Sequence, residues 1–277
     1  MKLGVRAHDL ASKTDLDGFV KIRKEYGFHV VQLVFKKSFA SYSYEEDFVK
    51  KASDLFKENG IEVALLGAYF NPVHSDKKVV EEGIDNFKKN IDIAKYFRYP
   101  LVGSETGSYS DSPWVYHPKN HTEEGYQASK KVFLELAQYA KTKGVSLSIE
   151  SAFGHVRYDV KRHARLLEEL NRDNVYATID LYNLLDASNF EKRNDIFLDA
   201  LKTFGTKTKI IHLKDGRLKD HKLTQVSPGK GGFDYPFRRQ CVEKYCPDAT
   251  RIFEGVKADD ILSSKALVES LVPRLKA

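Results

Sequence analysis

Cysteine is scarce in this chain: Cys241 and Cys246 are the two cysteines among its 277 residues. Residues five positions apart lie on different faces of a helix, which argues against a disulfide between these two thiols. We therefore expect both cysteines to be reduced, which is typical of a protein that stays in the cytoplasm.

Long apolar runs are also lacking. The apolar segment at residues 61–70 covers about ten residues, whereas a helix that spans a bilayer needs roughly 20. Charges in the first residues, MKLGVRAHDL, interrupt any apolar segment of a secretory signal. These observations exclude a membrane protein and predict a cytoplasmic location.

Charge of one sign is not concentrated in any part of the sequence. The 45 basic and 39 acidic residues are interspersed, and the formal net charge is +6. A nucleic-acid-binding protein would have a dense basic patch, so we expect no nucleic-acid partner. No segment rich in proline, glycine and serine divides the chain, which predicts a single domain over residues 1–277.

Short β-rich segments alternate with longer amphipathic segments along the whole chain. Strands are predicted at residues 2–7, 30–35, 61–69, 101–106, 145–151, 175–182, 209–215 and 250–256. Helices are predicted at residues 15–26, 44–59, 76–97, 123–143, 160–170, 191–204, 235–245 and 259–275. This α/β pattern of eight units matches a closed (β/α)8 TIM barrel better than an open sheet, which usually has about five or six strands.

Ionisable residues stand near the C-terminal ends of four successive predicted strands, where barrel enzymes place their chemistry. They are Glu150, Asp180, His212 and Glu254. Any one of them alone could be an ordinary strand-end residue that faces solvent or a helix N-terminus. Together they predict a metal site, because charged side chains are seldom buried unless they are paired or bind a metal. Three carboxylates and one imidazole suit one divalent ion: Mn2+, Mg2+, Co2+ or, with less preference, Zn2+.

Strand alternation extends this prediction to neighbouring residues. Lys214 shares the inward face of its strand with His212 and would lie close to a substrate, although a solvated or salt-bridged lysine is the alternative. The same alternation places Ser148, Thr178 and Ile252 one layer below the candidate ligands.

Three motifs resemble a known family. The four strand-end residues, the segment IHLKD and the segment SPGKGGFDY are similar to those of the sugar phosphate isomerase/epimerase superfamily of xylose-isomerase-like TIM barrels, also called AP endonuclease family two. The resemblance covers nearly the whole chain. The Gly-x-Gly, apolar residue and Asp that precede the seventh helix in this family correspond to Gly229, Gly231, Phe233 and Asp234.

The resemblance implies a metal-dependent isomerase or epimerase that acts on a small polyhydroxylated substrate: a ketose, a sugar phosphate or a cyclitol. It implies that the four strand-end residues hold one catalytic divalent ion, with manganese among the candidates. Glu150 and Glu254 would also act as the acid/base pair, one on each face of the substrate carbon, in a proton transfer through an enediolate.

Further residues are candidates for substrate binding. His74 follows the third strand and Arg217 follows the seventh, both in positions similar to those of site residues in relatives. Glu105 ends the fourth strand, and His155 follows Glu150 by five residues, so that both could bind hydroxyl groups. The alternative for each is an ordinary loop or surface residue.

The sixth strand departs from the family pattern. Relatives commonly have Asp-x-x-His there, whereas this chain has Asp180 followed by Asn183. An asparagine side chain can hydrogen-bond a substrate hydroxyl but cannot take a proton. The departure therefore concerns the identity of the substrate rather than the metal.

The sequence leaves open whether the substrate carries phosphate, although an unphosphorylated sugar or cyclitol is favoured. Arg6 and His8, at the end of the first strand, could line the mouth of the barrel. Other basic residues near strand ends could bind an anion: Lys36, Lys37, Arg157, Lys214 and Lys230.

Other functions fit the same barrel. An inosose-type dehydratase would use the same enediolate, and a binding or regulatory protein would keep the barrel without turnover. An AP endonuclease would hydrolyse abasic DNA with several metal ions and with histidines that this chain lacks at Glu105 and Asn183. Because relatives often form dimers or tetramers, a homo-oligomer is also open.

Overall fold

Eight parallel strands close into a barrel, in a computed structural model that describes residues 2–110, 112 and 115–271. The barrel strands are β1 (Leu3–Arg6), β2 (Val30–Leu33), β3 (Glu62–Gly67), β4 (Leu101–Glu105), β5 (Ser146–Glu150), β6 (Val175–Asp180), β7 (Thr208–Leu213) and β10 (Thr250–Phe253). Two further strands, β8 (Asp215–Lys219) and β9 (Lys222–Val226), form a separate sheet. β1 to β7 pair in chain order, and β10 closes the barrel between β7 and β1. The predicted TIM barrel is confirmed.

Helices connect successive barrel strands. They are α1 (Ala7–Leu10), α2 (Leu16–Tyr26), α3 (Phe35–Ser38), α4 (Glu46–Glu58), α5 (Lys77–Ala94), α6 (Glu123–Thr142), α7 (Val160–Leu170), α8 (Arg193–Phe204), α9 (Tyr235–Tyr245) and α10 (Ile261–Ser270). None of the helices within the described ranges is long and apolar enough to cross a membrane.

Side chains at the helix starts explain why several helices begin where the sequence predicts. Asp15, Thr122 and Asp159 each accept a hydrogen bond from a backbone N–H three residues later, which satisfies a donor that the first turn leaves free. α2 ends at Gly27, whose φ of 64° lies in the left-handed region that glycine adopts without a steric penalty.

The predicted barrel strands begin and end within three residues of the observed ones. The last helix begins at Ile261, two residues after its predicted start at residue 259. Residues 272–275 of that predicted helix lie outside the described residues. Two short helices, α1 and α3, and the antiparallel hairpin of β8 and β9 were not predicted. This hairpin stands outside the barrel, and its turn residues Asp220 and His221 both have positive φ.

Strand alternation divides the buried side chains between the outside and the inside of the barrel, and both sides have an apolar cluster. A large core fills the space between the strands and the helices, and a smaller cluster that includes Ile210 and Ile252 lies inside the barrel. Thr178 pairs in register with Ile210, and its buried hydroxyl lies 2.7 Å from the buried hydroxyl of Ser148. The predicted layer below the candidate ligands is therefore present, and the ionisable residues stand at the C-terminal mouth.

Candidate metal centre

The four predicted ligands stand on four consecutive strands of the barrel. Glu150 and Asp180 are the last residues of β5 and β6, His212 lies in β7, and Glu254 directly follows β10. All four side chains are buried. Because parallel strands in a barrel end at the same rim, residues far apart in sequence meet at one place.

The Nδ1 atom of His212 is the centre of this cluster. It lies 2.9 Å from Oε2 of Glu254, and 3.4 Å from both Oε2 of Glu150 and Oδ2 of Asp180. Glu150, Asp180 and His212 each offer one possible ligand atom, and these three atoms lie within 4.8 Å of one another. This spacing allows the three residues to hold one ion.

Buried atoms without hydrogen bonds show that the cluster fits a metal. Oδ2 of Asp180, Nδ1 of His212 and Oε2 of Glu254 are buried without an aligned hydrogen bond, and they meet one another and Lys214 as ion pairs. Buried polar atoms are normally satisfied, and such atoms facing one another are satisfied by a shared cation. Carboxylate oxygens and one imidazole suit divalent ions from Mg2+ to Zn2+.

Two basic side chains balance the acidic cluster. The ammonium of Lys214 is 2.9 Å from Oδ2 of Asp180 and 3.0 Å from Oε1 of Glu254. The guanidinium of Arg6 is 2.8 Å from the same Glu254 oxygen. Burial alone would raise the pKa of Glu254, but the charges of His212, Lys214 and Arg6 hold it well below its ordinary value. Lys214 is thus salt-bridged within the site.

Asn183 connects three members of the site. Its Nδ2 donates to Oε1 of Glu150 at 2.7 Å, its Oδ1 accepts from Lys214 at 3.1 Å, and its backbone N–H donates to Oδ1 of Asp180 at 3.2 Å. Burial raises the pKa of Glu150 despite the nearby charge of His212. The departure from Asp-x-x-His therefore leaves an amide that orients ligands.

Gln32 and Tyr69 belong to the site and were missed by sequence reasoning. Oε1 of Gln32, in β2, is 2.8 Å from Nε2 of His212, and Nε2 of Gln32 donates to the hydroxyl of Tyr69 at 2.7 Å. Gln32 is fully buried. A glutamine inside the apolar run VVQLV was the signal, because a buried amide needs partners.

Asp215 organises the glycine loop after the hairpin. Its buried carboxylate accepts hydrogen bonds of 2.8–3.0 Å from the N–H groups of Gly216, Gly229, Gly231 and Phe233. A Cβ at residue 231 would come within 2.3 Å of Oδ1 of Asp215. The Gly-x-Gly motif therefore wraps a carboxylate of the chain itself.

The other predicted binding residues lie in different places. Glu105 lines a cavity at the mouth, where burial and the charges of Glu150 and Glu254 raise its pKa well above the ordinary value. His155 is fully buried in the loop after β5. His74, partly buried, accepts a hydrogen bond from the N–H of Asp76.

Arg217 is exposed on the hairpin, where its guanidinium donates to the carbonyl oxygen of Lys230. The structure thus brings Glu105, Asn183 and Lys214 to the mouth of the barrel and places Arg217 on its outer surface.

The mouth cavity opens beside the ligand cluster and has a volume of about 230 Å³. Its lining residues come from the first four strand ends and from the end of β10: Arg6, His8, Lys37, Tyr69, Phe70, Asn71, Glu105 and Glu254. Glu254 belongs to both the cavity and the cluster. A small molecule in this cavity would therefore lie against the candidate metal centre.

Comparison with known proteins gives one family and many similar folds. The family model described as xylose isomerase-like TIM barrel matches residues 20–245. Comparison with curated proteins gives no match. Among solved structures, the IOLI protein with a bound zinc atom is 19% identical, with a TM-score of 0.75 over 98% of both chains.

Two further structures have the same fold. The probable 3-DHS dehydratase AsbF from Bacillus anthracis is 16% identical, with a TM-score of 0.75 over 99% of this chain and 100% of its own. The 3-keto-D-glucoside 4-epimerase YcjR from E. coli is 14% identical, with a TM-score of 0.72 over 98% of this chain and 99% of its own.

Proposed function

Because the chain belongs to the xylose isomerase-like TIM barrel family, we propose that it is a divalent-metal-dependent isomerase or epimerase of a small polyhydroxylated substrate. The observation that carries the proposal is the convergence of possible ligand atoms from Glu150, Asp180 and His212 within 4.8 Å of one another, with Glu254 2.9 Å from His212. Similar folds include an epimerase, a probable dehydratase and a protein with bound zinc, which supports this class of chemistry.

Glu150, Asp180, His212 and Glu254 would hold the ion. When bound, a divalent ion stabilises negative charge on the oxygens of a substrate carbonyl and its neighbouring hydroxyl. The chain's own residues then have two tasks: to orient the substrate carbon and to move a proton to and from it.

Glu150 and Glu254 are the proposed acid/base pair. They reach the cluster from β5 and from the end of β10, with β6 and β7 between them, so they approach a bound substrate from different sides. Asn183 holds Glu150, while Arg6 and Lys214 hold Glu254. Fixed carboxylates on both sides of one carbon allow a proton to be taken from one face and returned to the other.

Solvent exchange tests this chemistry directly. The full chain is dialysed against Mn2+, desalted, and incubated in D2O with a panel of ketoses and cyclitols. We expect about one ion per chain by elemental analysis, and carbon-bound deuterium in at least one ligand by NMR. Glu254→Gln should lower both the metal content and the deuterium uptake. The control is Glu243→Gln, which removes a carboxylate that pairs with Arg239 on α9 and should change neither quantity.

Other results would redirect the assignment. Loss of water from the labelled ligand would identify a dehydratase that uses the same site. Two or three ions per chain, with cleavage of an abasic DNA duplex, would favour the endonuclease. Absence of both metal and deuterium uptake would refute the proposal.

A further inference from the structure

We propose that the substrate carries a carboxylate, which Lys37 and His8 bind at the side of the mouth formed by β1 and β2. This inference rests on the proposed function, because it names the substrate class of the same site. Both residues line the mouth cavity, and each lies in the short helix that follows a barrel strand: His8 in α1 after β1, and Lys37 in α3 after β2.

Lys37 is the cation of this cavity that has no partner. Across the described ranges, its ammonium makes no ion pair and no hydrogen bond, while its side chain lines the cavity. Burial lowers its pKa, and the charges of Arg6 and Lys36 lower it further, against weaker opposing effects of Glu254 and Glu105. Because Arg6 and Lys36 are the strongest of these neighbouring charges, an anion near the ammonium of Lys37 would be stabilised.

His8 offers a polar atom in the same place. His8 lines the cavity, and because its Nδ1 is buried, the ring would meet a ligand there through Nε2. Burial and the charges of Arg6 and Lys37 lower the pKa of this imidazole to about 3, so the ring is neutral at physiological pH. A neutral imidazole has one N–H group, which can donate a hydrogen bond to a carboxylate oxygen.

The charge count favours a carboxylate over a phosphate. Arg6 also lines the cavity, but its guanidinium is already paired with Asp9 at 2.7 Å and with Glu254 at 2.8 Å. Lys37 therefore contributes one unpaired positive charge, which matches a monoanion. A phosphate dianion would face Glu254 across the same small cavity without a second unpaired lysine or arginine.

Three probes that differ at one carbon test the inference: D-glucose, D-glucuronate and glucose 6-phosphate. Their binding to the Mn2+-loaded full chain is measured by calorimetry. We expect glucuronate to bind about tenfold more tightly than glucose. Lys37→Met should remove most of this difference, and His8→Leu should weaken glucuronate binding by about threefold. Lys36→Met is the matched control, because Lys36 and Lys37 are adjacent exposed lysines and only Lys37 lines the cavity.

Equal affinity for glucose and glucuronate, tighter binding of glucose 6-phosphate, or equal losses in Lys36→Met and Lys37→Met would overturn the inference. Deuterium uptake into neutral ketoses, unchanged in Lys37→Met, would also overturn it while leaving the proposed function intact. Binding of glucuronate that depends on Lys37, without deuterium uptake into any ligand, would support the carboxylate site and refute the proposed function.

Discussion

Gln32 and His212 meet across the mouth of the barrel, with Oε1 of Gln32 2.8 Å from Nε2 of His212. A carboxamide oxygen only accepts, so Nε2 of the histidine carries a proton. Without a metal, the three carboxylates raise the pKa of His212 and favour a proton on Nδ1 as well; a bound metal would replace that proton and leave a neutral ring with Nδ1 facing the carboxylates. Gln32 thus selects the tautomer that can bind a metal.

Replacement of this amide should weaken metal binding. We expect Gln32→Leu to lower the affinity for Mn2+ by about 10- to 100-fold, because the ring loses the acceptor that orients it. Competition with a fluorescent chelator measures the change. Gln127→Leu, on the exposed face of α6, is the control. Unchanged affinity in Gln32→Leu would show that the ring is oriented by other contacts.

Lys214 and a metal ion compete for the same carboxylates. Lys214→Met should reduce the stability of the metal-free protein, because Asp180 and Glu254 lose a buried cation. It should also increase the affinity for Mn2+ by about tenfold, since a repulsive charge is removed. Thermal unfolding with and without Mn2+ reads both effects. A smaller rise in melting temperature on addition of Mn2+ than in the wild-type protein would contradict this expectation. Lys219→Met, on the exposed hairpin, controls for the loss of a lysine.

Close approach rather than dihedral angle requires glycine at position 231. A Cβ there would lie 2.3 Å from Oδ1 of Asp215 and 2.4 Å from the carbonyl oxygen of Gly216. We expect Gly231→Ala to lower the free energy of unfolding by about 1–3 kcal/mol. Gly232→Ala is the neighbouring control, because its nearest contact would be 3.3 Å, to Phe190. Equal denaturation midpoints for the two variants would refute the clash.

Acid should destabilise the fold through His163. Burial and the charge of Arg157 lower the pKa of this imidazole from an ordinary 6.5 to about 3. The unfolded chain therefore binds a proton that the folded chain does not. The contribution of the neutral ring to the free energy of unfolding is complete above pH 6.5, and it is lost progressively as the pH falls towards 3.

At pH 5 the loss in the free energy of unfolding through His163 amounts to about 2 kcal/mol. Urea unfolding of the wild-type protein between pH 5 and 7 measures it, and His163→Gln should make the dependence shallower, with His8, whose pKa is also lowered to about 3, contributing to the remainder. His221→Gln, in the exposed hairpin turn, should leave it unchanged. Parallel pH curves for the wild type and His163→Gln would exclude this residue as the source.

The sequence was sufficient to predict the barrel and its four strand-end residues. Eight buried strands have a clear apolar pattern, and an acid such as Asp180 stands out because charges rarely follow such runs. The roles of Gln32 and Asp215 were not predictable, because each depends on residues that only the closed barrel brings together. A polar residue alone does not show whether its partner is water, a backbone amide or a ligand residue.

The hairpin of β8 and β9 was missed for a different reason. Its strands are mostly polar and largely exposed or half-buried, so they lack the apolar density by which the barrel strands were recognised. Two-residue periodicity around the turn at Asp220 and His221 was the available signal. Gln225 on β9 then reaches the backbone oxygens of Glu254 and Gly255, a contact between segments that no local pattern links.

Arg6 and Glu254 form their ion pair across 248 positions of the chain. The ribosome releases β1 first and β10 last, so a nascent chain that ends before β10 has an open sheet edge and lacks one of the four acceptors for a metal. The cation proposed for this site would therefore enter a finished barrel, and the ions available at that point would decide which one the site receives.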